Sequence, residues 1–187
     1  MTEEKLITAC QQQKASAQRV LYQQYSPIMM GVCRRYLVRT EDAEDVLVEA
    51  FCKVFKHIGQ YQGKGSFEGW IRRIVVNECL MFLRKKHALR NAYEIQEHFD
   101  LRSDQNVTAE LAAKDILKIL EQLPNGYRTV FNLYVIEGYK HREIAELLDI
   151  SINTSKSQLI LAKKKLQALL LKSNYPGIKE RMQNTAQ

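Results

Sequence analysis

Between Thr40 and Gly59, the residues Ala43, Val46, Leu47, Ala50, Phe51, Val54, Phe55 and Ile58 follow one another at alternating steps of three and one. That rhythm winds a single apolar stripe along a helix of 3.6-residue period; a half-buried strand would alternate every second residue instead. Thr40 stands where it can cap the helix, and Glu41, Asp42, Glu44 and Asp45 complement the positive end of its dipole. A helix with one apolar face must bury it against others. Only 8 Gly and 3 Pro interrupt the 187 residues, and alternating strand patterns are scarce, so the expected fold is all-α.

The same rhythm predicts a second long helix from Ser66 to about Lys86. Trp70, Ile71, Ile74, Val75, Cys79, Phe82 and Leu83 form its stripe, while Arg72, Arg73, Asn77, Arg84 and Lys85 lie mostly off it. Upstream, Ser26-Pro27 has the form of an N-cap followed by proline at the first helical position, opening a helix through Ile28, Val32, Cys33 and Tyr36. A shorter helix near Ala15 to Tyr25 precedes it. Residues 15–88 thus read as a helical bundle, and residues 1–88 as the first domain.

Residues 89–108 lose the periodicity and carry Glu94, Glu97, Asp100 and Asp104, which marks an acidic, mobile linker. A second helical domain is expected over 109–172. Leu111, Ile116, Leu117, Leu120 and Leu123 lead to the turn Pro124-Asn125-Gly126, and a helix resumes from Tyr127 to Glu137, broken at Gly138. His141 to Leu148 gives a short helix with Ile144, Ala145 and Leu148 inward, residues 149–153 turn, and Thr154 to about Leu171 is the last helix. Short helix, tight turn and longer helix is helix-turn-helix geometry. Residues 173–187 read as a polar tail.

The residue inventory excludes several functions. No apolar run approaches the length of a transmembrane helix, and Met1-Thr-Glu-Glu opens without the basic leader of a secretory signal, so a cytoplasmic protein is expected. Cys10, Cys33, Cys52 and Cys79 form no C-x-x-C pair and read as small reduced core residues. His57, His87, His98 and His141 make no spaced ligand set, and the Glu41–Glu49 carboxylates lack the Glu-x-x-His spacing of a di-metal bundle. There is no phosphate-cradling Walker loop and no nucleophile elbow. No metal, cofactor or small-molecule substrate is expected, and nothing argues for an enzyme.

Positive features remain. A formal charge of +7, from 28 Lys and Arg against 21 Asp and Glu, suits an anionic partner. In the last helix, Thr154, Ser155, Lys156, Ser157 and Gln158 stand at the end that would meet phosphates and base edges, with Lys163, Lys164 and Lys165 adding attraction. The loop Gln60-Tyr-Gln-Gly-Lys-Gly-Ser-Phe places Tyr61, Phe67 and then Trp70 beside Lys64 and a basic helix. Rings interleaved with cations are what unstacked bases need, although periodicity alone puts Trp70 on the buried stripe. The acidic cluster at 41–49 reads as dipole complementation or a surface for a basic partner.

These residues together resemble a known family. Asp42-Ala43-Glu44-Asp45-Val46, Glu49-Ala50-Phe51, Val54-Phe55 and Phe67-Glu-Gly-Trp70-Ile-Arg-Arg-Ile74-Val-Val-Asn77 are similar to the second conserved region of bacterial sigma factors of the extracytoplasmic-function group. Leu123-Pro124, Tyr127-Arg128, Val130-Phe131, Gly138-Tyr139, Glu143-Ile144-Ala145, Leu148 and Thr154 to Gln158 resemble their fourth region. The likeness covers about residues 14–172. It implies a factor that binds core RNA polymerase and directs it to promoter DNA, with an anti-sigma factor as a further partner. It assigns Asp42, Glu44, Asp45, Glu49 and Phe51 to polymerase docking. Gln62, Lys64, Ser66, Phe67, Trp70, Arg73, Asn77 and Arg84 fall to the −10 element. Arg142, Thr154, Ser155, Lys156, Ser157, Gln158 and Lys163 fall to the −35 element.

The sequence departs from the family pattern in three places. Ser155 and Gln158 stand where Val and Arg are usual in the recognition helix, Asp149 replaces a frequent Gly in the turn, and Glu49-Ala50 replaces the commoner Gln-Glu. The competing readings are a stand-alone helix-turn-helix regulator and an adaptor that binds only protein.

Overall fold

The computed structural model describes residues 2–93 and 117–172, and among them every regular element is helical. The chain divides into two compact units, Met1–Arg102 and Ser103–Gln187. The acidic stretch from Glu94 to Asp104 and the polar tail lie outside the described residues.

The first unit holds α1 (Glu3–Gln11), α2 (Ala15–Tyr36), α3 (Thr40–His57) and α4 (Phe67–Tyr93), with a 3-10 turn at Ile58–Gln60. α1 packs on α2, and α2, α3 and α4 pack against one another. In α3 the expected stripe is buried from Ala43 to Val54, with Ile58 buried just beyond the helix.

Three expectations are corrected here. First, α2 is one helix and not two: Pro27 sits inside it, and no break occurs at Ser26. A proline in a helix interior costs about 3 kcal/mol through a lost hydrogen bond and a ring clash. Against that cost, Ala17, Leu21, Tyr25, Met29, Val32, Cys33 and Tyr36 are buried along one continuous face that spans the proline. Tertiary burial overrides the local stop signal.

Second, α1 was not expected from the sequence. Thr2 precedes it, Glu3 and Glu4 occupy its first turn, and Leu6, Ile7 and Cys10 are buried on α2. Third, Cys52 is exposed, whereas Cys10, Cys33 and Cys79 are buried as expected. Position 52 faces away from the stripe that carries Phe51, so its thiol meets solvent.

α4 starts where Ser66 suggests: the Gly69 backbone N–H donates to Ser66 Oγ at 2.9 Å, an N-cap bond. It runs past Lys86 to Tyr93, into the stretch expected as linker. Phe67, Ile71, Val75 and Cys79 lie four apart and form its buried seam. Lys53 of α3 reaches the nearly buried Glu78 of α4 at 2.7 Å, so this buried carboxylate is paired.

The second unit begins with a helical stretch at 117–121, followed by α5 (Asn125–Phe131), a π turn (Asn132–Ile136), α6 (His141–Leu148) and α7 (Ile152–Lys172). Leu120, Leu123 and Ala162 form a core flanked by Tyr127, Phe131 and Leu166. Arg128 is buried and donates to the Glu121 carbonyl and to Asn125 Oδ1, closing the turn around Pro124. Burial lowers its pKa to about 10, and Glu121 opposes that shift, so the guanidinium stays charged at neutral pH.

Between α6 and α7 the chain turns through Asp149, whose φ of 54° and ψ of 49° are left-handed. Aspartate tolerates this region better than most residues, which accounts for a turn made without glycine.

Candidate nucleic-acid interface

In the first unit the loop between the 3-10 turn and α4 carries two left-handed glycines, Gly63 at φ 70° and Gly65 at φ 79°. Gln62, Lys64 and Ser66 are exposed on it. Behind the loop stands an aromatic cluster. Phe67 and Trp70 stack with ring centroids 5.7 Å apart and an interplanar angle of 13°, and Tyr61 meets both at 5.0 and 5.6 Å.

The rings are not equivalent. Phe67 is only 1% exposed and belongs to the core, so the expectation that it touches DNA is corrected: position 67 begins the buried seam of α4. Trp70 is half-buried, one turn along the helix, and presents part of its ring to solvent. Arg73, Asn77 and Arg84 are exposed. At 100° per residue these three and Trp70 fall within an arc of about 60° on the α4 surface. A half-open indole, two guanidiniums and an amide thus share one face that continues from the loop.

The acidic face of α3 is partly used within the fold. Asp42 pairs with Lys86 of α4 at 3.2 Å, while Glu44, Asp45 and Glu49 remain exposed. Phe51 is 2% exposed and packs edge-on against Tyr22 at 4.8 Å. It cannot be a surface contact for another protein, because it lies on the stripe that holds α3 to α2. Sequence reasoning missed Val48, which is 53% exposed and sits with Cys52 among the carboxylates. Met81 of α4 is also exposed and touches Lys53 Nζ through its sulfur. Val48 breaks the three-and-one rhythm of the stripe, the signal by which it could have been found.

In the second unit Ser151 caps α7: its hydroxyl accepts from the Thr154 N–H at 2.9 Å and contacts Thr154 Oγ1 at 2.8 Å. Lys156, Ser157 and Lys163 are exposed, and Ser157 Oγ donates to the Thr154 carbonyl. Thr154 is half-buried. Ser155 is corrected from groove contact to interior residue, since it has no exposed surface and its hydroxyl meets His141 Nδ1 at 2.9 Å. Gln158 is half-buried with its amide folded over Gly126, where an added Cβ would stand 3.3 Å from Oε1. Asn153 and Ile160, absent from the expected set, are exposed on the same side of α7 as Lys156 and Lys163. Arg142 is exposed on α6 and pairs loosely with Glu146 at 3.5 Å.

Comparison with known proteins gives these two surfaces a name. Residues 21–88 match sigma-70 region 2, and residues 113–166 match sigma-70 region 4. The chain belongs to the sigma-70 family, in its extracytoplasmic-function group. It is 26% identical to the ECF RNA polymerase sigma-E factor of Haemophilus influenzae, over 89% of this chain and 94% of that one. It is 23% identical to the ECF RNA polymerase sigma-E factor of Escherichia coli strain K12, over 87% and 91%. Among solved structures, the sigma factor RpoE of Bartonella quintana, in complex with the anti-sigma factor NepR, matches in fold with a TM-score of 0.55 at 20% identity. That match covers 84% of this chain and 98% of RpoE.

Region 2 of this sigma factor therefore carries the aromatic loop and the basic face of α4, and region 4 carries the helix-turn-helix. α1 lies before the region 2 match, yet it packs on that unit. Among the described residues no helix is long and apolar enough to cross a membrane.

Proposed function

We propose that this sigma factor seats on core RNA polymerase through Glu44, Asp45 and Glu49, with Val48 as an apolar contact between them. On this reading the polymerase then brings two DNA-binding surfaces to one promoter. The loop Gln62–Ser66 and the face formed by Trp70, Arg73, Asn77 and Arg84 hold the opened −10 element. Lys156, Ser157, Lys163 and the capped start of α7 read the −35 element as duplex, with Asn153 on the same side.

The observation that carries this reading is the shared arc on α4. An indole at one edge of that arc, with two guanidiniums beyond it and an open glycine loop one turn away, fits an unstacked strand: the ring offers a face for a base and the guanidiniums neutralise phosphates. Unstacking a base costs a few kcal/mol, which a protein pocket can offset. The α7 surface suits duplex contact, where each neutralised phosphate releases counterions and makes affinity fall with salt. Attachment at two points adds effective concentration only while the polymerase holds both surfaces at one spacing, so the isolated factor binds promoter DNA poorly.

The factor would work in the cytoplasm, and an anti-sigma factor that covers these faces would silence it, as a partner of the kind RpoE holds. Run-off transcription with core polymerase and a genomic fragment library tests the whole reading. Site-selective starts that depend on the added factor are expected. Starts that are absent or scattered overturn it.

A further inference from the structure

The −10 loop has an internal clasp that its assignment to DNA leaves unexplained. The Tyr61 hydroxyl donates to the Gly65 carbonyl at 2.9 Å, closing the segment 61–65 into a ring that contains both left-handed glycines. The same Tyr61 ring packs on Phe67 and Trp70, so the clasp is anchored to the aromatic cluster. Phe67 is in turn held edge-on by Tyr25 of α2 at 5.7 Å, and Tyr25 donates to Glu3 of α1 at 2.5 Å. At the other end of the loop, the Ile58 carbonyl accepts from the Tyr61 N–H and from Gln11 Nε2 of α1, each at 3.2 Å. A five-residue turn that carries exposed Gln62 and Lys64 is thereby tied down at both ends by packed helices.

We infer that Tyr61 is a positioning residue for base capture: its hydroxyl holds the loop in its receiving shape before DNA arrives. This rests on the proposed reading in which the loop Gln62–Ser66, with the Trp70 face beside it, holds the unstacked −10 strand. The physical reason is preorganisation. A loop that must order on binding loses part of its affinity to entropy, and a loop already closed does not. Tyr61 itself need touch no nucleotide.

The test uses holoenzyme assembled from core polymerase and the full chain. The probe is a fluorescein-labelled, single-stranded oligonucleotide bearing the −10 sequence of a promoter selected by run-off transcription. A parallel series carries one abasic site at each position in turn. The wild type is expected to lose affinity sharply at one abasic position. Tyr61→Phe keeps the ring packing and removes only the clasp. It should shrink that discrimination by about three- to tenfold, the range that loss of one hydrogen bond produces, with the thermal midpoint lowered by no more than that one bond accounts for. A purely structural role would instead lower affinity for intact and abasic strands alike.

Gly65→Ala is the second variant. Its added Cβ meets nothing within 4 Å, so it acts only through the strained φ of 79°, and it should blunt the same position. Undiminished discrimination in both variants overturns the clasp while leaving base capture standing. A wild type indifferent to every abasic site overturns base capture itself, and the clasp falls with it.

Discussion

His141 Nδ1 lies 2.9 Å from Ser155 Oγ, so a ring at the start of α6 and a hydroxyl in the first turns of α7 share one hydrogen bond across the helix-turn-helix. Tyr134 of the π turn stacks on the same imidazole, with centroids 4.4 Å apart and an interplanar angle of 23°. α7 is thus set against α6 by a polar bridge, and Ile144 of α6 and Leu159 of α7 are both buried.

The setting of His141 makes region 4 sensitive to acid. Burial first, and then the charges of Lys156 and Lys163, hold the His141 pKa below its ordinary 6.5. Above that value the ring is neutral in both folded and unfolded chains and its contribution is fully present. As pH falls through 6.5 the unfolded chain takes up a proton that the folded chain resists, and stability declines until the folded pKa is passed. Urea midpoints of the region 4 transition should fall between about pH 7.5 and 5, and His141→Phe, which keeps the stacking, should flatten that component. An equal slope in the variant would remove His141 from the account of that acid sensitivity.

Ser155 and Lys156 are neighbours with opposite fates, which separates folding from DNA reading. Ser155→Ala should cost about 1 kcal/mol of stability by leaving the ring nitrogen without its partner, and should leave promoter preference as it was. Lys156→Ala and Lys163→Ala should leave the urea midpoint alone, weaken holoenzyme binding to −35 duplex, and each lower the salt slope by about one. Salt titrations of the three variants in parallel decide between these patterns.

How much of this was legible in the sequence depends on whether a signal was local. The stripe of α3, the start of α4 at Ser66 and the helix-turn-helix were all readable, because periodicity and turn residues act within one or two turns. Tertiary decisions were not. Pro27 has every local mark of a helix start, and only the burial of Tyr25 and Met29 on either side shows that α2 runs through it. Phe51, Phe67 and Ser155 lie in segments that resemble family motifs, yet a motif mixes residues that hold a surface with residues that form it. A step of one residue in a helix turns the side chain by 100°, enough to separate buried Ser155 from exposed Lys156.

Pro27 and Asp149 each carry a backbone cost that substitution can release. Pro27→Ala restores an N–H to an exposed helix position and should raise stability by about 1–3 kcal/mol. Asp149→Gly removes the left-handed strain but adds freedom to the unfolded chain, so a change within about 1 kcal/mol is expected. Asp149→Val puts a branched side chain at φ 54° and should destabilise by about 1–2 kcal/mol. Chemical denaturation of the three variants checks all three signs.

The α3 helix offers the sharpest separation of scaffold from the proposed docking surface, because Asp45 is exposed and Phe51, about 120° around the helix, is buried. Phe51→Ala empties a space against Tyr22 and Phe55 and should cost about 3–5 kcal/mol. Whatever polymerase binding it loses should track the unfolded fraction and return at lower temperature. Asp45→Lys touches no buried atom and should leave the unfolding free energy within about half a kcal/mol of the wild type. It reverses a charge between Glu44 and Glu49, so a basic partner surface meets repulsion where it met attraction. Core-polymerase pull-down should therefore fail at every temperature at which the variant is folded. If Asp45→Lys is captured as well as the wild type while Phe51→Ala is lost even when folded, the docking face lies elsewhere on region 2.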